Sequence, residues 1–192
     1  DEYIIQEGSM KVLKKVWIVV LSVILVAVTG IFALWHNEIA TVASITTIID
    51  QDLSHDDGYT YEMNVSGEYY FDDFLKQGGV SSDEELIRFI TGNITKGVIP
   101  MTIKTKEIAC SSFTAWTEDQ QFVFGRNYDF DETNTAIVHT NPKGRHASVS
   151  TIDLQFLGID EKTGITGIKE KALLLAAPYI PLDGINDAGV AC

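Results

Sequence analysis

The chain has 192 residues and 45% apolar content, enough for one core, but much of that content lies in one block near the N-terminus, leaving a small remainder to fold. A formal net charge of -13 argues against a nucleic-acid partner, because a surface that tracks phosphates needs clustered Lys and Arg. The two cysteines, Cys110 and Cys192, make no disulfide framework, and His36, His55, His139 and His146 are scattered without zinc-type spacing, so neither a metal nor a cofactor is expected.

Residues 1–9, ending in Gly8-Ser9, resemble a tag or scar ahead of a natural start at Met10 and are set aside. Lys11, Lys14 and Lys15 then precede an uncharged apolar run from Val16 to Trp35. At ~1.5 Å per residue, a helix over that run crosses a hydrocarbon core of about 30 Å. Segment 10–36 therefore reads as a signal anchor or a signal peptide, with membrane contact through 16–35. The lysine flank places the N-terminus in the cytoplasm and the rest outside. An uncleaved anchor is favoured, since the apolar core is long for a signal peptide and Ala40 to Ser44 is a mediocre cleavage site. The expected location is membrane-anchored with an extracytoplasmic domain, or secreted after processing.

Residues 37–109 read as a tether and propeptide-like segment, with the acidic stretch from Asp50 to Asp57 as the tether. Ser82 with Glu85 forms a capping box, after which Leu86, Ile87, Phe89 and Ile90 share one face of a short helix ending near Gly92. Met101 to Ile108, beyond Pro100, alternates imperfectly and reads as an edge strand or extended linker. Asn64-Val65-Ser66 and Asn93-Ile94-Thr95 have the form of glycosylation sequons.

From Cys110 onward, short strands are expected over 111–116, 121–127, 135–140 and 146–157, with turns at Thr117 to Gln120 and at Asn141-Pro142-Lys143-Gly144. Gly158 to Gly167 supplies a reversal. Ile168 to Ala177 suits a buried helix stopped by Pro178, and a turn at Asp183-Gly184 leads to Asn186.

A thiol attacks well only as thiolate, and an unperturbed cysteine has a pKa of about 8.5, so a working Cys110 needs a nearby cation or base. A three-residue turn places Arg126 directly opposite Cys110. A four-residue turn places Asn127 there and sends Arg126 to the other face. Gly125 can host a bulge that reconciles either register. The bland alternative is a cysteine that merely packs, since free Cys is often buried and inert.

Cys110-Ser111-Ser112-Phe113, then Phe124-Gly125-Arg126-Asn127-Tyr128-Asp129-Phe130, then Asp183-Gly184-Ile185-Asn186-Asp187-Ala188-Gly189-Val190 resemble, in that order, the choloylglycine hydrolase and penicillin V acylase family of linear-amide hydrolases. The first two blocks are more distantly similar to acid ceramidase and N-acylethanolamine amidases. The resemblance covers about 110–192 and leaves 1–109 unexplained. It implies an α+β fold of the N-terminal-nucleophile αββα sandwich type, incomplete within this sequence because family domains continue past the Asp-Gly-X-Asn block. It implies Cys110 as nucleophile, Arg126 and Asp129 as its neighbours, and Asn186 as a contributor to the oxyanion site.

The implied chemistry is hydrolysis of a linear, non-peptide N-acyl amide through an acyl-thioester on Cys110. The substrate classes suggested are a bile-salt conjugate, an acyl-homoserine lactone or a penicillin-like amide, and the polar loop Asp131 to Asn134 does not select among them. The peptide bond after Ala109 must break, freeing an α-amino group of reference pKa about 7.7–8.0 to act as base. Two alternatives stand beside this reading: a membrane-tethered domain that binds without catalysis, and an acyltransferase of the same fold. The sequence leaves oligomerisation open.

Overall fold

The centre of the main sheet joins strands from opposite sides of Cys110. In the computed structural model, residues 2–52, 58–104, 110–129, 134–160 and 162–192 are described, with side chains from Met10 onward. Strands β1 (Thr46–Ile49), β2 (Thr60–Asn64), β5 (Thr135–Thr140), β6 (Ser148–Asp153) and β7 (Asp183–Asn186) lie side by side in the order β1-β2-β5-β6-β7. β2 runs parallel to β5, and the other neighbours are antiparallel. The remaining strands, β3 (Cys110–Trp116) and β4 (Phe122–Tyr128), form a separate two-stranded sheet. The chain is thus α+β, and the segment expected as tether and propeptide supplies two strands of the larger sheet.

Side chains alternate faces along a strand, and the sequence uses that period. Tyr61 and Met63 of β2, Ala136 and Val138 of β5, and Ile152 of β6 are all buried on one face. Leu86, Phe89 and Ile90 of α3 (Asp83–Asn93) join the same core, with Leu154 and Leu157. Full burial of each such aliphatic side chain contributes roughly 1.5–3 kcal/mol. α3 begins as expected, with Ser82 Oγ accepting from Glu85 N at 3.3 Å, although the Glu85 carboxylate reaches back to Ser81 N at 2.8 Å rather than to the cap residue itself. The helix ends at Asn93, one residue past the expected glycine. The short helix α2 (Phe71–Lys76) precedes it.

Other expectations shift at their boundaries. The strand expected over 146–157 stops at Asp153, whose carboxylate accepts from Gln155 N at 3.0 Å and caps a 3-10 helix over Leu154–Leu157. The helix expected over Ile168 to Ala177 divides into α4 (Ile168–Leu173) and a 3-10 helix (Leu174–Tyr179). Pro178 lies inside that 3-10 segment rather than stopping the helix. Leu175 O, the carbonyl that an N–H at position 178 would reach in such a helix, accepts from the Tyr69 hydroxyl instead. Met101 to Lys104 forms no strand, and the rest of that expected strand, with most of the acidic tether, lies outside the described residues.

The apolar N-terminal run is helical. α1 spans Glu2–Ala43, and its Met10–Ala43 portion is long and apolar enough to cross a membrane, with its most apolar stretch unburied. It kinks at Trp35 (φ -124°, ψ 21°). Beyond the kink the helix enters the domain. Thr41 is buried and its Oγ1 accepts from Ser66 N at 2.9 Å. Glu38 is only 3% exposed and accepts from the Tyr70 hydroxyl at 2.6 Å, with the Lys96 ammonium 3.6 Å away.

Candidate functional site

Cys110 opens β3, and the loop that follows sets what faces it. Trp116 pairs with Phe122, so the connection is the five residues 117–121 rather than the three or four expected. The longer loop closes on its own bonds: Thr117 N donates to Gln121 O at 2.8 Å, and Thr117 Oγ1 accepts from Gln121 N at 2.9 Å. Both expected pairings of Cys110 are therefore corrected. Tyr128 lies directly opposite Cys110, and Arg126 lies opposite Ser112. An odd loop length nevertheless keeps Arg126 on the face of Cys110, one diagonal step along the ladder. No bulge interrupts the pairing. Gly125 instead sits opposite Phe113, whose ring covers the space a Cβ would need.

Cys110 is half-buried with a free thiol. The Arg126 guanidinium shares the face of Cys110, and its interaction with the Cys110 side chain is the main cause raising the arginine's pKa above its ordinary value. The same guanidinium lies over the Tyr128 ring, 5.4 Å from its centroid. Its Nε is shielded from water and has no hydrogen-bond partner among the described residues. A buried donor left in that state is costly, so it marks a position where a further acceptor would be stabilising.

The Tyr128 hydroxyl lies 2.6 Å from Thr151 Oγ1 on β6, and Thr151 Oγ1 donates at 2.6 Å to Asp183 Oδ1 on β7. Thr151 N also reaches Asp183 Oδ1, at 3.2 Å. Burial pushes the Tyr128 phenol upward, and the nearby Asp183 carboxylate adds to that shift. These bonds tie the hairpin to the main sheet beside Cys110. Sequence reasoning missed all three residues. Tyr128 had a signal, standing two residues beyond Arg126 and so on its face. Asp183 opens the third sequence block, whereas nothing in the sequence marked Thr151.

The other expected residues lie elsewhere. Asp129 accepts from Asn127 Nδ2 at 2.6 Å, and Asn127 faces away from Cys110. Asn186 pairs with Ser148 at the far end of β7, about 10 Å along the strand from Asp183 at a rise of ~3.3 Å per residue. Its Oδ1 is used within its own turn, accepting from Ala188 N at 3.1 Å and Val190 N at 2.9 Å. Asn186 also lines a cleft of about 580 Å³ with His139, Asn64 and Asp187, and Cys110 does not line that cleft. The structure thus gathers Cys110 and Arg126 and brings neither Asp129 nor Asn186 into contact with them among the described residues.

Ala109 and residues 131–133 of the polar loop lie outside the described residues. Asn134, the last of that loop, is buried as a structural bridge, its Oδ1 accepting from Tyr59 N and its Nδ2 donating to Asp160 O, both at 2.8 Å. Among the described residues no three His, Cys, Asp or Glu side chains gather in a way that could hold a metal ion. Comparison with protein families, with curated proteins and with solved structures found no match.

Proposed function

We propose that the chain is the anchored, cysteine-nucleophile part of a hydrolase acting on linear N-acyl amides, in keeping with the resemblance of its three sequence blocks to the choloylglycine hydrolase family. The observation that carries the reading is the placement of Arg126 on the face of Cys110, one diagonal step along the hairpin ladder. A positive group beside the sulfur favours the thiolate, the form that attacks.

In the proposed reaction, the bond between Ala109 and Cys110 is first hydrolysed, leaving Cys110 with a free α-amino group. That amine takes the thiol proton as Sγ bonds to the substrate carbonyl carbon. Collapse of the tetrahedral intermediate breaks the C–N bond, and the departing amine receives the proton. Water then hydrolyses the thioester, releasing the carboxylic acid and restoring the thiol. Asp129 and Asn186 take up the positions the family resemblance implies for them only if the chain rearranges after scission. α1 acts as the membrane anchor, and because β2 stays paired with β5 in the main sheet, the catalytic portion remains held to it after scission.

A second reading is a tethered domain that binds without catalysis. It is favoured by the engagement of the Asn186 side chain in its own turn. The test is to express the protein with Cys110, Cys110→Ser and Cys110→Ala, determine the N-terminus of each product, and assay release of amine from N-acyl amides. The expected result is a new N-terminus at Cys110 and turnover lost in the alanine variant. Unchanged turnover in Cys110→Ala would overturn the mechanism, and an intact, inactive chain with Cys110 present favours the binding domain.

A further inference from the structure

We infer that the domain is seated on the bilayer, and that two apolar grooves flanking α1 take up the upper acyl-chain segments of phospholipids in the adjoining leaflet; the inference rests on α1 being a membrane span. One groove, of about 400 Å³, is lined by Ile31 and Trp35 of α1 with Ile94, Val98, Ile99 and Leu175 of the domain. The other, of about 460 Å³, lies between the same Ile31, Trp35 and Leu175 and the side chains of Ile39, Val42 and Ile168. Polar atoms are almost absent from the first, and Glu38 and Lys171 edge the second.

The level of these grooves identifies their occupant. Trp35, where α1 kinks, ends the uncharged run, and Ile31 lies inside it, about 6 Å further down the helix axis at ~1.5 Å per residue. Both grooves include Ile31, so the domain reaches below the end of the apolar run. A tryptophan at that boundary matches the aromatic preference of membrane interfaces. Ile31, which lines both grooves, is exposed like most of the apolar run, so acyl chains that cover the span also meet the grooves.

Two independent segments of the domain point apolar residues to this level. Val98 is 70% exposed and Ile168 is 75% exposed. Val98 is held out by a defined turn rather than by a loose loop. Lys96 and Gly97 adopt left-handed φ of 53° and 77°, Gly97 N donates to Thr91 O at 2.9 Å, and Thr95 Oγ1 donates to Ile99 O at 2.7 Å. Single exposed apolar residues need no explanation, but Val98 lines the first groove and Ile168 the second, and both grooves share Ile31, Trp35 and Leu175. Lys169 and Lys171 lie next to Ile168 in a chain of net charge -13, and long basic side chains at that height reach lipid phosphates while their stems lie on apolar surface.

The test uses the full chain with Cys110→Ser and Cys192→Ser, reconstituted in vesicles of phosphatidylcholine with a minority of phosphatidylglycerol. Single fluorophores are attached through Leu25→Cys, Val98→Cys, Ile168→Cys or Val190→Cys, and quenching is compared between aqueous iodide and lipids spin-labelled on the acyl chain. The expected result is iodide quenching several-fold weaker at positions 98 and 168 than at 190, with acyl-chain quenching at 98 and 168 shallower than at 25. If 98 and 168 respond to iodide as 190 does while 25 is shielded, the seat is wrong and the span stands. If 25 is also open to iodide, the span fails and the seat with it. Protection of 98 and 168 from both quenchers would mean that protein covers the patch, which also overturns the lipid assignment.

Discussion

The Tyr128 hydroxyl meets Thr151 Oγ1 at 2.6 Å across the gap between the hairpin and the main sheet. Because the single Thr151 hydroxyl hydrogen is directed to Asp183 Oδ1, the tyrosine is the donor in this contact. The order Tyr128 to Thr151 to Asp183 is therefore directional, and it ends on a carboxylate that anchors the far side. On the near side, the Tyr128 ring supports the guanidinium that shares the face of Cys110.

Thr151→Val keeps the shape of the side chain and removes both hydroxyl bonds. It removes the Thr151 oxygen that the Tyr128 hydroxyl meets, a loss of about 1 kcal/mol. Urea denaturation should report that loss. Hydrogen exchange should show faster exchange in β3 and β4 than in β5, because the substitution releases the hairpin and not the core. Equal acceleration in both would mean that the tie does not position the hairpin.

Arg126→Gln keeps a hydrogen-bonding group near Cys110 and removes its charge. Alkylation of Cys110 by iodoacetamide should slow several-fold, because the cation beside the sulfur is lost. Arg126→Lys should fall between the two, since a point charge lacks the planar geometry of guanidinium. Cys192 alkylation gives the internal reference, as it is exposed and remote in sequence from the hairpin.

Much of the scaffold was legible because it depends on local patterning. The Ser82 cap, the apolar face of α3, the strand over 135–140 and the long apolar helix follow from spacing of residue types within one or two turns. What escaped depends on distant partners. Glu62 and His139, 77 positions apart, join β2 to β5 at 2.9 Å, and nothing near Thr60 signals a parallel neighbour beyond Cys110. The hairpin register depended on a loop that polar residues at 117–121 allow at several lengths. Tyr69 and Tyr70 hold left-handed φ of 49° and 62°, a conformation that sequence reasoning reserves for Gly or Asn, sustained here by bonds to Leu175 O and Glu38. The site needed the folded chain as well: the sequence left Arg126 on either face of the hairpin until the five-residue loop fixed the register, and the Thr151 and Asp183 link joins strands far apart in the chain.

Tyr61, Tyr69, Tyr70, Tyr128 and Tyr179 all have phenol pKa values raised, in each case chiefly by burial. The folded state therefore favours the neutral phenols relative to an unfolded reference near pH ~10. Their contribution to stability is complete below that pH and is lost as the pH rises above it toward the raised folded values. Alkaline titration followed by phenolate absorbance should show these tyrosines ionising late and together with loss of helical circular dichroism. Independent ionisation near pH ~10 with the fold intact would contradict the burial of these rings.

Glu38 is where the long apolar helix is chemically fastened to the domain. Its carboxylate accepts from the Tyr70 hydroxyl at 2.6 Å and faces the Lys96 ammonium at 3.6 Å, and that ammonium also bonds the Tyr70 oxygen. Glu38→Ala removes both interactions and leaves Lys96 to turn toward water, which its partial exposure permits. The expected cost is therefore roughly 1–3 kcal/mol, below that of breaking a fully buried pair. Glu38→Gln retains an acceptor for Tyr70 and loses only the charge, so its cost should be smaller. Hydrogen exchange on the full chain in nanodiscs separates the two effects: amides of 36–43 should be deprotected more by alanine than by glutamine, while those of 20–30 stay protected in both. Loss of protection in the lower segment would show that Glu38 supports the whole helix rather than the joint above Trp35.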